Sequence, residues 1–138
     1  MSASTSEVRS VPLVRRRSRE ALSALAVVFL LGMGTNLIGE PSEDAARVIS
    51  GVILGLHILI AIGVVVVAVR VRIAAARESV GQRESLWALV VVALTFLFGV
   101  GTVLTGSEWL SFLMAAGFLA AAALYTRLVV LAPRAGAR

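Results

Sequence analysis

The sequence predicts an all-α integral membrane protein, a four-helix bundle made of two helical hairpins in parallel repeat. Three observations carry this. Of 138 residues, 59% are hydrophobic and 15% charged, against about a quarter charged in a soluble domain, and the mean hydropathy is +0.96. Four apolar stretches approach the roughly 20 residues that a helix needs to cross about 30 Å of hydrocarbon. An eleven-residue glycine-bearing segment also recurs along the chain.

The spans are placed at Ala21 to Gly39, Val48 to Val69, Leu86 to Thr105 and Trp109 to Leu131. Residues 1–20 then form a basic cytoplasmic tail, 21–131 the transmembrane domain and 132–138 a short second tail. No span contains Asp, Glu or Arg except the fourth, with Arg127 near its end. A membrane β-barrel would also satisfy every backbone group in lipid, but its strands alternate polar and apolar residues. VVVVAV and WALVVVALTFLFGV do not alternate. Between the first two spans, PSEDAARV reads as a helix start, with Ser42 as cap, acids in the first turn and Arg47 following. Glu40, Glu43 and Asp44 are also a candidate rim site for a cation, although acids beside Pro41 suit a solvated helix cap.

Arginine placement orients the spans. Arg9, Arg15, Arg16, Arg17 and Arg19 precede the first; Arg70, Arg72, Arg77 and Arg83 surround the central connection; Arg127, Arg134 and Arg138 lie at the end. Four spans put all of these on one side and leave Arg47 on the other, with Glu40, Glu43, Asp44 and Glu108. The positive-inside rule therefore predicts cytoplasmic termini and, since the chain reads as bacterial, a multi-pass protein of the cytoplasmic (inner) membrane. Trp87 and Trp109 fall at opposite interfaces, as in an aromatic belt. RRRSRE resembles a twin-arginine export signal only in its charge, because neither the apolar residues expected after the arginine pair nor a small-residue cleavage site follows. It is read as a topology anchor on lipid headgroups. Nucleic acid is not a predicted partner, since no folded module with groove-reading features is present.

FLLGMGTNLIG at 29–39 aligns without gaps with FLFGVGTVLTG at 96–106. After a loop six residues shorter, Ser50 aligns with Ser111, which sets His57 opposite Phe118. Two spans separate the copies, so both run in the same direction, about an axis along the membrane normal. Glycines supply the close approaches on which helix association in lipid depends: Gly32 and Gly34 in the first helix, Gly51 and Gly55 in the second, Gly99 and Gly101 in the third, and Gly117 in the fourth. Gly51 and Gly55 equally suit a homodimer.

LGMGTNLIGEP, a central His in GLHILIAIG, an Arg-bearing connection and GVGTVLTGSEWLSFLMAAGFLAAAALY together resemble a family of small four-span membrane proteins of actinobacteria and other Gram-positive bacteria. The resemblance covers about residues 29 to 125. It implies the same topology and adds no activity.

His57, the sole histidine, lies near the centre of the second span. A buried imidazole in lipid is costly unless it is partnered, so it should face the bundle, near Thr35 and Asn36 of the first helix or Thr95 and Gly99 of the third. As a structural residue it hydrogen-bonds a neighbouring helix. As a functional one it takes part in proton-linked transport, contacts a quinone, or ligates heme b, with Met33 or Met114 as a second donor or with a dimer supplying a second His. No paired carboxylates, Ser/His/Asp set or phosphate-cradling glycine loop is present, and no cysteine ligand exists. The chain is therefore read as non-enzymatic and without a cofactor. It would be a structural or accessory subunit that meets the bilayer and another membrane protein or its own copy. The alternative is a redox or transport protein that uses His57.

Overall fold

The computed structural model describes residues 12–38 and 44–135, with their side chains except at 35–38, 46 and 133–135. The expected cap Ser42 and the acids Glu40 and Glu43 lie outside the described residues, as do the side chains of Thr35 and Asn36. Four helices account for the fold: α1 (Leu13–Ile38), α2 (Asp44–Glu78), α3 (Gln82–Thr105) and α4 (Glu108–Ala135). The protein is an all-α bundle, and α2, α3 and α4 are each long and apolar enough to cross a membrane.

The helices run beyond the apolar spans at the basic end, where the start of α1, the α2–α3 turn and the end of α4 lie. Residues 13–20 of the expected basic tail belong to α1. The Glu78 carboxylate, at the end of α2, accepts hydrogen bonds from the backbone N–H groups of Leu13 (2.7 Å) and Val14 (3.2 Å). It thus satisfies two of the donors that a helix N-terminus leaves open. Arg16 and Arg17 both pair with Glu20 one turn on, and Val14 and Ser18 are fully buried. Hydropathy marks hydrocarbon thickness, not helix length, so the sequence places these turns outside the domain.

Gly81 closes the α2–α3 turn with φ +60°, and a Cβ there would run into Leu128 of α4. Both its backbone conformation and its neighbour therefore require glycine. Gly106, also left-handed, ends α3 by donating its N–H to the Thr102 carbonyl.

Around the bundle, α1 packs on α2 and α4, and α3 packs on the same two helices. The diagonal pairs α1/α3 and α2/α4 do not meet. Burial follows the repeat. Ser18, Ala21, Leu25 and Val28 of α1 match Ser85, Ala88, Val92 and Thr95 of α3 at a constant offset of 67, all of them buried. That is the offset of the aligned glycine segments. In the second pair Val64, Ala68, Val71 and Ala75 match Ala121, Tyr125, Leu128 and Ala132 at an offset of 57. His57 thus corresponds to Met114, one turn from the Phe118 expected from aligning Ser50 with Ser111. A four-residue slip turns a helix by only about 40°, so apolar sequence fixes the face and leaves the register open. Asp44–Ser50 of α2 has no counterpart in α4.

Among the described residues, all buried ones occupy the half of the bundle nearer the basic end: Val14 to Val28, Val64 to Ala75, Ser85 to Thr95 and Ala121 to Ala132. Trp87 and Trp109 stand exposed at opposite ends, and Trp109 stacks on Phe112 with ring centroids 5.5 Å apart.

Candidate functional site

Above this packed half the bundle opens into a cavity of about 390 Å³. Its floor is the top of the core, where Val28, Val64, Val92 and Ala121 close it off, and its upper wall reaches Thr102, Leu104 and Ser111. The repeat explains the space. On α2 the wall carries Leu54, Ile58 and Val64, whereas the matching positions on α4 are Ser111, Ala115 and Ala121. Volume is missing beside these three positions of α4, although Phe118 on the same helix is larger than its counterpart Ala61. Phe29 and Phe118 meet edge-on, with centroids 6.3 Å apart, on the α1–α4 side. The symmetry-related positions hold Phe96 and Ala61, again one large residue fewer.

His57 lines this cavity from α2. Its ring lies on Gly32 of α1, with Cε1 3.0 Å and Nδ1 3.5 Å from where a Cβ on that glycine would stand. Any larger residue at position 32 would displace the imidazole. The ring is beside the backbone of Val28, and Nδ1 is buried without a hydrogen-bond partner. Met114 repeats the arrangement in the second hairpin, its Sδ 3.2 Å from the Cβ position of Gly99.

Of the polar partners expected for His57, Thr95 is buried at the level of Val28 but donates its hydroxyl to the Val91 carbonyl of its own helix at 2.7 Å. Its side chain also seats Gly117 of α4, where a Cβ would overlap Thr95 Oγ1. Gly99 faces Met114, not His57. Thr35 and Asn36 cannot be placed, since their side chains are outside the described set.

The glycines divide into two groups. Gly32, Gly99, Gly101 and Gly117 have side chains of the neighbouring helix where a Cβ would go, and they are the close approaches within the hairpins. Gly34, Gly51 and Gly55, expected to pack as well, would meet nothing within 4 Å, and neither would Gly63. Sequence reasoning did not single out Gly63, which lies about 80° around the helix from Gly55. It also missed Tyr125, the largest fully buried side chain among the described residues, whose hydroxyl has no hydrogen-bond partner there. A lone tyrosine in an apolar run gives no sequence signal of depth.

Among the described residues no three His, Cys, Asp or Glu side chains cluster as metal ligands. No family model, curated protein or solved structure matches the chain.

Proposed function

We propose that this is a four-span protein of the bacterial cytoplasmic membrane, with both termini cytoplasmic, that works without enzymatic chemistry as an accessory or structural subunit. One observation carries this reading: α2 turns Gly51 and Gly55 away from its own bundle, so that a Cβ on either would meet no described residue of another helix within 4 Å. In lipid, small residues at such spacing are where a second helix can approach closely. The glycines inside the bundle are already used by their hairpin partners, which leaves this face for another chain. Val52, Leu59 and Ile62 on its borders are exposed and would supply the flanking contacts. The resemblance to small four-span proteins of Gram-positive bacteria supports the same topology.

The chain has no cysteine, so Gly55→Cys is a clean crosslinking probe in native membranes. Oxidation should give a disulfide-linked dimer if the partner is a second copy, and a heterobifunctional reagent should give a defined larger adduct if it is another membrane protein. A Gly55→Cys protein that stays monomeric under both treatments overturns the accessory role.

A second reading, redox or proton-linked transport through His57, draws on the place of that ring at the cavity. For heme b the ligand pair would be His57 with Met114. A Soret band in purified protein that is lost in His57→Ala supports heme, and a colourless protein purified from heme-replete cells overturns it.

A further inference from the structure

We infer that the cavity beside His57 binds an uncharged, largely apolar molecule with a carbonyl or hydroxyl oxygen, the chemistry of a membrane quinone headgroup, and that His57 is its hydrogen-bonding partner. Size, charge and unmet hydrogen bonding each restrict the ligand. At about 390 Å³ the space is within the range of small-molecule pockets and far above the volume of one water molecule. Among the described residues no Asp, Glu or Arg contributes to its lining, so a carboxylate or ammonium would be desolvated there with no counter-charge from them. Of the polar side chains on the wall, Thr95 and Thr102 donate their hydroxyls to the carbonyls of Val91 and Phe98 on their own helix. Among the described lining residues the imidazole is the deep polar group not bonded to its own helix; its unpartnered Nδ1 is buried against Gly32, so the ring turns to offer it to a ligand.

The repeat makes the site one-sided. Where hairpin one presents His57, hairpin two presents Met114, a soft apolar surface that suits the face or edge of a ring. A molecule with one polar edge and one apolar edge fits between them, and the missing bulk at Ser111 and Ala115 gives it room. The inference does not depend on the accessory role. It names a ligand class for the second reading, yet a protein that binds a quinone without turning it over would fail that reading and leave this one standing.

The sole histidine makes the test direct, because protein labelled with ¹⁵N-histidine shows a single imidazole. In nanodiscs it is titrated with a decyl-substituted naphthoquinone and, in parallel, with the decylnaphthalene that lacks both oxygens. The expected result is a saturable shift of the His57 ring signals with the quinone and a much weaker response to the hydrocarbon. Ala115→Ile and Ser111→Leu place on α4 the residues that α2 carries at the matching positions, and each should abolish saturation while thermal unfolding stays cooperative. By an independent binding assay, His57→Phe should weaken the quinone by roughly threefold to tenfold, the worth of one hydrogen bond. No saturable shift with the quinone overturns the inference. So does an equal response to the hydrocarbon, or a response that survives in both cavity-filling variants.

Discussion

His57 and Met114 occupy the same position in the two halves of the molecule, each laid on the glycine of the helix before it, Gly32 and Gly99. The pairing sets a polar side chain in one hairpin against an apolar one at the matching position of the other. It also identifies which glycines hold the hairpins closed and which do not.

Gly117→Ala should destabilise the bundle by about 1–3 kcal/mol, as overpacking of a tight contact does. Thr95 cannot turn away without losing its bond to the Val91 carbonyl. Adding Thr95→Ala should recover a large part of the loss, a coupling measurable in a double-mutant cycle of unfolding free energies. Gly55→Ala, with open space around it, should stay within about 0.5 kcal/mol of the parent. Equal losses at positions 55 and 117 would contradict the division of the glycines.

Glu78→Ala should cost about 1 kcal/mol, in line with the loss of a helix N-cap, and Glu78→Gln, which keeps one acceptor, should cost less. Hydrogen exchange is the sharper readout. The amides of Leu13 and Val14 should lose protection selectively, while those of the α3–α4 hairpin keep theirs.

Acid should loosen the start of α1. Arg17 donates to the Glu20 carboxylate at 2.7 Å, and this bond, with the nearby charges of Arg17 and Arg16, holds the Glu20 pKa below its usual value of 4.5. A carboxylate depressed in the folded state contributes stability above its unfolded pKa and loses it as pH falls through the folded one. The thermal midpoint of the parent should therefore fall more than that of Glu20→Gln from about pH 5 downward, by a small amount because the pair is solvent-exposed. Identical acid profiles would remove the pair as a contributor.

Reporter fusions at Gly81 and at the C-terminus should register as cytoplasmic, and one at Ser42 as external. An external C-terminus would rule out four spans.

The helical class, the four elements and the inward turn of His57 are legible in the sequence, because hydropathy and the cost of an unpartnered imidazole determine them locally. The register of the second helix pair is not. Ser50 and Ser111 suggest one alignment, while the buried series Val64 to Ala75 and Ala121 to Ala132 follows another, and both keep the same helix face. Nor is the start of α1 legible, since Leu13 to Glu20 is charged enough to read as a tail until Glu78, distant in sequence, is seen to cap it. The cavity depends on Ser111 and Ala115 being small opposite nothing in particular in the sequence. Only the paired helices reveal what they fail to fill.

The confinement of burial to one half of the bundle has a mechanical consequence. A bundle packed tightly at one end yields most at the other, and the less packed ends here, joined only pairwise within each hairpin, are the walls around His57. Whatever squeezes those ends sets the width of the cavity, and in a membrane that is the lateral pressure of the surrounding leaflet. A thicker or more tightly packed leaflet should draw the tips of α2 and α4 together and narrow the space. For the ligand inferred above, affinity should then fall as the bilayer tightens around the four walls.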